Sequence, residues 1–257
     1  MNLMDLVEPL RTRLHSHPKL LRLPADRPVV YVGDTHGDLG ATECVFDRFP
    51  VPQHVLVFLG DAVDRGPDSA GNLARILSEH FDHPGSVHLL MGNHEAWCIA
   101  DFYPAEFWSQ LEPEDARRLG ETLALLPLVA WHPAGVLASH GALPDVASLK
   151  AIDQIGLGSE AWRDITWGDW SETGKTSSPR FGARPLYDRE DFEQRMNRLD
   201  AAVLVRSHQP SVPRYLFADR CLTLFTTHGY GNGSRCVGIL RPGVRPATAR
   251  DLEVVDV

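Results

Sequence analysis

Lysine is nearly missing from this chain of 257 residues: Lys19, Lys150 and Lys175 are the only ones, so almost all the positive charge is arginine. Acidic groups still outnumber basic ones, 34 to 25, for a formal charge of −9. A surplus of that sign argues against an unassisted nucleic-acid binder, which normally presents a basic face. Cysteine is scarce too. Cys44, Cys98, Cys221 and Cys236 lie too far apart for a Cys-x-x-Cys pair, which excludes a structural zinc site of the usual spacing. No apolar run approaches the roughly 20 residues of a membrane span, and no leader with a basic start, an apolar stretch and a small-residue cleavage site is visible. Repeats and low-complexity tracts are absent as well. These absences predict a cytoplasmic protein with reduced thiols and no membrane partner. The remaining composition, 43% hydrophobic and 23% charged, is that of a globular protein. The length suits a single domain over 1–257 that can bury most of the surface its unfolded chain exposes.

What the chain does have is a repeated pattern, in which an apolar β-type run ends in a residue able to bind a metal. Val29 to Val32 precede Asp34 and His36, Val55 to Leu59 precede Asp61, and Val87 to Met91 precede Asn93 and His94. Val136 to Ala138 precede His140, Val203 to Val205 precede His208, and Leu222 to Phe225 precede His228. Helical spacing marks an opening helix over 3–21, broken near His17-Pro18, and further helices over 39–49 and 68–82 between the first three strands. Alternation of this kind predicts an α/β fold. The carboxyl ends of strands in open α/β sheets form the crevice where ligands bind, so the six strand ends describe one pocket. Residues 93–126 read as largely helical, with Phe102, Tyr103, Phe107 and Trp108 as core or groove wall, and 167–186 as a long loop. The stretch 186–199 reads as helix, and short strands are expected at 237–240 and 252–255.

The strand ends carry specific chemistry. Gly33 and Gly37 flank Asp34 and His36, which a locally extended backbone aims to one side. Gly60-Asp61-Ala62-Val63-Asp64-Arg65-Gly66 supplies two carboxylates and a guanidinium within five residues; one carboxylate can bridge two cations while the arginine grips phosphate bidentately. Gly92-Asn93-His94-Glu95 adds a neutral oxygen ligand beside an imidazole, a donor mixture that suits Mn, Fe or Zn better than Ca. Two cations about 3.5–4 Å apart acidify a shared water and clamp phosphoryl oxygens, so that hydroxide attacks phosphorus in line. An alkoxide is a poor leaving group near neutral pH, and a histidine paired with a carboxylate can deliver its proton. Cys98, just past this block, reads as a buried thiol.

With these blocks in place the chain resembles the metallophosphoesterases, and within them the phosphoprotein phosphatase family that contains the Ser/Thr protein phosphatases and the symmetrical diadenosine tetraphosphatases. Residues 33–37 are similar to that family's Gly-Asp-x-His-Gly block, 60–66 to Gly-Asp-x-Val-Asp-Arg-Gly and 92–95 to Gly-Asn-His-Glu. Trp167-Gly168-Asp169 resembles Trp-Ser-Asp, Arg206-Ser207-His208-Gln209 resembles Arg-Ala-His-Gln, and Leu224 through Tyr230 resembles Leu-Phe-Ser-Ala-Pro-Asn-Tyr. The resemblance spans about 28–240 and implies a layered β-sandwich flanked by helices, with the metal site at the carboxyl ends of the strands. It further implies that Asp34 and His36 hold a first metal, that Asp61 bridges, and that Asn93, His140 and His208 hold a second. His94, oriented by Asp64, becomes the general acid. Arg65, Asn93 and Tyr230 contact phosphate together with Arg180, for which Arg184 competes.

The implied cofactor is a pair of divalent ions, Mn2+ first, with Fe, Zn or Co as alternatives. Met91, Gly141-Ala142 and His228-Gly229 depart from the family pattern at positions that bear on substrate, and His228 reads as a packing or surface residue. The expected activity is that of a Ser/Thr protein phosphatase acting on a phosphorylated protein or peptide. The alternative is a hydrolase of dinucleoside polyphosphates such as diadenosine tetraphosphate. A non-catalytic phospho-binding scaffold is disfavoured by the intact ligands and the intact His94–Asp64 pair.

Overall fold

In the computed structural model, which describes residues 2–174, 184–230 and 235–257, two β-sheets stack face to face with helices on their outer sides. The first sheet is built on β2 (Val29–Val32), β3 (Val55–Phe58) and β4 (Val87–Leu89), all parallel. It is extended antiparallel by β12 (Cys236–Leu240) and β13 (Glu253–Asp256). The second sheet runs in the order β1 (Leu20–Arg22), β5 (Val129–His132), β6 (Val136–Ser139), β9 (Val203–Arg206), β11 (Cys221–Thr223) and β10 (Tyr215–Leu216). In it β6, β9 and β11 are parallel neighbours.

Period-two geometry divides the apolar runs between two cores. Val29 and Tyr31 of β2 and Val55 and Val57 of β3 meet Val136, Ala138, Val203, Val205, Leu222 and Leu224 of the facing sheet. Their neighbours Val30, Val32, Leu56 and Phe58 turn outward onto a second cluster with Leu73, Ile76 and Leu77 of α3 (Ser69–Asp82). Because both faces are covered, these strands are continuous apolar runs without polar alternation. Helix starts follow from side-chain caps: Asp38 accepts from Ala41 N ahead of α2 (Leu39–Arg48), and Asp68 accepts from Gly71 N ahead of α3.

Three expected elements differ. The opening helix α1 ends at Leu14, short of 21, because His17-Pro18 turns the chain into β1, whose Leu20 and Leu21 are buried by parallel pairing with β5. Residues 93–99 are turns and 100–105 are irregular, and the helices are confined to α4 (Glu106–Ser109) and α5 (Pro113–Leu123). Tertiary hydrogen bonds at both ends override helical pattern here: Asp61 N donates to Glu95 Oε2 and Phe107 N donates to Asp64 Oδ1. Within the expected loop, β7 (Asp169–Trp170) pairs in parallel with β8 (Leu186–Tyr187), and only then does the helix Arg189–Arg198 begin, with Asp188 and Asp191 capping each other's backbone. Cys98 is exposed on the 93–100 turn, not buried.

Candidate active site

The two sheets converge where β2 ends. Asp34 pairs with Phe225 across the sheets, Asp34 N donates to Ser207 Oγ at 2.8 Å, and Ser207 Oγ donates to Leu224 O at 2.7 Å. Strand ends from both sheets are thereby stitched around one point. The loops approach so closely that glycine is required: a Cβ on Gly60, which sits at φ +103°, would lie 2.5 Å from Gly92 N. Several side-chain-bearing residues at this point also adopt left-handed backbone, namely His36 at φ 41°, Asp61 at 54°, Asp64 and Arg65 at 67° and His208 at 69°. Each such residue costs about 1–3 kcal/mol and persists only where surrounding structure enforces it.

Asp61 lies at the centre. Its Oδ2 is 3.6 Å from His36 Nε2, 3.3 Å from His140 Nε2 and 3.8 Å from His94 Nε2. His36 Nδ1 is bonded to Val63 O at 2.7 Å and His140 Nδ1 to Leu59 O at 3.0 Å. With those ring nitrogens donating, each Nε2 presents its lone pair to the centre. His140 Nε2 also lies 3.2 Å from Asn93 Oδ1 and 3.0 Å from His208 Nδ1. Asp34 Oδ2 is 3.8 Å from His36 Nε2, and Asp34 Oδ1 is 3.7 Å from His140 Nδ1. All six residues expected to hold metal are buried.

So many converging donors need a cation. Burial and His94 push His36 well below the usual histidine range, and burial and His140 do the same to His208, so both rings are neutral and able to ligate. Burial raises the Asp61 carboxyl, but His140 and His94 outweigh it and hold the group well below the usual carboxylate range. Burial and the neighbouring Asp61 push Asp34 up to about 6. Burial lowers His140, yet Asp61 overcomes this and takes it up to about 9. Two buried triads, His36–Asp61–His94 and Asp61–His140–His208, have ligand atoms within 4.8 Å of one another and share Asp61. Carboxylate, amide and imidazole donors around one shared carboxylate fit a pair of divalent transition ions.

Beside this cluster His94 Nδ1 meets Asp64 Oδ2 at 2.5 Å, while Asp64 Oδ1 accepts from Phe107 N at 2.7 Å. Trp108 Nε1 donates to His94 O, and the Phe102 ring lies 4.5 Å from the imidazole, centroid to centroid. Phe107 and Trp108 are core, Phe102 is half-buried wall, and Tyr103 is 96% exposed. Arg65 is exposed and lies over the Tyr230 ring at 5.2 Å. Tyr230 OH donates to Asp34 Oδ2 at 2.8 Å and lies 2.6 Å from His36 Nε2. Arg184 Nη1 is 3.3 Å from His208 Nε2. Arg180 lies outside the described residues. His228 is exposed, and its backbone N–H donates to Asp38 Oδ2, the cap of α2.

Sequence reasoning assigned no role to Glu95 or Ser207. Glu95 is fully buried, and its carboxylate accepts from Asp61 N at 2.7 Å, Ala62 N at 2.8 Å and Gly92 N at 2.9 Å, fixing the loops that carry Asp61 and Asn93. Burial and Asp61 push it up to about 7. An acidic residue directly after His94 was the available signal.

Comparison with known proteins agrees with this geometry. Over 218 residues, 80% of this chain and 70% of the relative, the sequence is 29% identical to the serine/threonine-protein phosphatase 4 catalytic subunit of Eremothecium gossypii. The fold superposes on a protein serine/threonine phosphatase from Saccharomyces cerevisiae, itself similar to human phosphatase PP5, with a TM-score of 0.84, 20% identity and coverage of 99% of this chain and 89% of that one. A structure described provisionally as a diadenosine tetraphosphatase matches with a TM-score of 0.58 at 18% identity, covering 93% of this chain and 98% of that one. The profile of the calcineurin-like phosphoesterase family matches residues 27–212, which take in every strand end of the site except that of β11. The chain belongs to the calcineurin-like phosphoesterases and is an enzyme that hydrolyses phosphoesters.

Proposed function

We propose that the chain is a metal-dependent Ser/Thr protein phosphatase whose catalytic unit is a single domain over 1–257. The observation that carries the reading is the buried Asp61, shared by two sets of ligand atoms, with the His94–Asp64 pair directly beside it. The likeness to Ser/Thr phosphatases in sequence and fold supports the choice of phosphoprotein as substrate. Asp34, His36 and Asp61 are assigned to one ion, and Asp61, Asn93, His140 and His208 to the other, with Mn2+ as the expected occupant. When bound, the ions supply an acidified water as nucleophile and positive charge for the phosphoryl oxygens.

The chain's own residues do the rest. Arg65 and Tyr230 line the same side of the site and are placed to orient phosphoryl oxygens, Arg65 by a forked guanidinium and Tyr230 by its phenol. Arg184, beside His208, is available for the same purpose. Arg180 keeps its assignment as a candidate from sequence alone. His94 directs Nε2 into the centre because Nδ1 is engaged by Asp64; protonated, it delivers its Nε2 proton to the leaving serine or threonine oxygen. Phe102 and Trp167 shield that side from water. All four cysteines are free thiols, which suits a reducing, cytoplasmic setting.

Phosphate release from phosphoserine and phosphothreonine peptides by Mn2+-loaded protein, set against cleavage of diadenosine tetraphosphate, tests the reading. Faster turnover of the peptides is expected. Cleavage of the dinucleotide alone would replace it with the nucleotide hydrolase.

A further inference from the structure

The opening turn of α3 is bonded to the loops that carry the expected metal ligands. Ser69 Oγ accepts from Asp64 N at 2.9 Å, and three residues on, Asn72 reaches two loops at once. Its amide nitrogen donates to Thr35 Oγ1 at 2.8 Å and to Ala62 O at 2.8 Å. Thr35 stands between Asp34 and His36, and Ala62 follows Asp61. The two hydrogens of one planar NH2 group therefore join the loops that hold all three residues assigned to one ion. Backbone bonds link the same loops: Thr35 N and His36 N donate to Asp61 O at 3.2 and 2.9 Å, and Gly37 N donates to Ala62 O at 2.8 Å. Ala62 O thus has both lone pairs in use. Asn72 is 0% exposed and Thr35 1%, so water does not compete for these bonds. The buried Oδ1 of Asn72, by contrast, has no partner, which is unfavourable for an amide oxygen. Turning the amide over would set that oxygen against Ala62 O, which can only accept. The side chain forgoes a bond of its own and keeps the two that join the loops.

We infer that Asn72 is a positioning residue for the ion assigned to Asp34, His36 and Asp61, setting the spacing of the first two ligands against the third. It acts through the loops and touches neither ion nor substrate. The inference rests on the two-ion assignment above and adds the residue that fixes one of its two sites. Asn93, His140 and His208, which belong to the other ion alone, come from different strand ends. Loss of Asn72 should therefore act on one ion and spare the other. Removing a partner that orients metal ligands from behind costs about 10- to 100-fold in affinity.

The test is calorimetric titration of the metal-free, full-length protein with Mn2+, read beside electron paramagnetic resonance, which separates a spin-coupled Mn2+ pair from a lone ion. In Asn72→Ala one of the two binding steps is expected to weaken about 10- to 100-fold while the other stays within about threefold of wild type, so that the coupled signal needs correspondingly more Mn2+. Peptide turnover should recover at saturating Mn2+. Thr35→Val keeps the side chain's shape and removes one acceptor; it should move the same step in the same direction by a smaller factor, and it carries the test if Asn72→Ala does not fold. Leu77→Ala, in the outer core on the same helix, should unfold more easily yet bind both ions as wild type does. Two ions held with wild-type affinity in Asn72→Ala, or in Thr35→Val where the first variant fails to fold, would overturn the role of Asn72 alone, as would equal weakening in Leu77→Ala. A wild-type protein that takes up one ion only would overturn the two-ion assignment and this inference with it.

Discussion

Asp64→Asn isolates the proton-delivery role of His94 while leaving the expected metal ligands untouched. Asp64 is 1% exposed, its Oδ2 lies 2.5 Å from His94 Nδ1, and its Oδ1 holds Phe107 N. The asparagine can keep the Phe107 contact with its amide oxygen, which turns its NH2 toward the imidazole and removes the negative charge from the pair. A hydrogen bond to a charged group contributes about 1.5–3 kcal/mol. Losing it from the protonated histidine in the transition state slows a reaction by roughly 10- to 150-fold. That loss applies only where the leaving oxygen needs a proton. Phosphoserine and phosphothreonine peptides expel alkoxides and should show the full effect in kcat, whereas p-nitrophenyl phosphate expels a stable phenolate and should change by less than about threefold. The assay is steady-state kinetics on both substrates with metal content measured in parallel. Equal slowing of both substrates at unchanged metal content would refute the general-acid assignment.

Three further outcomes follow from other contacts. Glu95→Gln replaces one oxygen of a carboxylate that accepts three backbone N–H groups, and should lower both unfolding free energy and Mn2+ affinity, the former by about 1.5–3 kcal/mol in urea titrations; unchanged values for both would show that Glu95 does not hold the Asp61 loop. His88, 5% exposed on β4, is held down to about 3 by burial and by His80, so below about pH 6.5 the unfolded chain takes up a proton that the folded chain refuses. Stability should therefore fall toward pH 3 by up to about 1.4 kcal/mol per unit, with a shallower slope in His88→Leu, and equal slopes would contradict the burial argument. Arg235 binds Asp38 through two nitrogens at 3.0 and 2.7 Å, and the same carboxylate accepts His228 N, so Arg235→Ala should loosen the segment carrying Tyr230 and raise KM for phosphopeptides several-fold, with Arg235→Lys recovering part of it; no change in KM would leave the pair a surface contact.

The strands that carry the site were legible because they are continuous apolar runs, and the first three of them lead into Gly33, Gly60 and Gly92. Val29–Val32 is both the expected run and the observed strand, and Val55, Val87, Val136 and Val203 each open one. Strands without that signature were not legible. β1 follows a helix-like spacing, β7 and β8 have two residues each, and their pairing depends on partners distant in the chain. Motif residues could be identified in the sequence, but their coordination geometry could not. Sequence places Asp34 and His36 one residue apart, yet only the positive φ of His36 and its Nδ1 bond to Val63 O explain why Nε2 faces Asp61. Glu95 and Ser207 were missed because they act on backbone atoms of distant loops, a relation no local pattern encodes. Cys98 reads as buried only if 93–105 is helical; the hydrogen bonds of Glu95 and Asp64 fold that segment into turns and irregular chain.

The central claim is a two-ion centre bridged by Asp61. Calorimetric titration of metal-free protein with Mn2+, followed by phosphothreonine-peptide hydrolysis at each point, tests it most directly. The account predicts two ions per chain, activity that rises with occupancy of the second, and loss of both in Asp61→Asn. Full activity at one ion per chain, or two ions retained in Asp61→Asn, would contradict it.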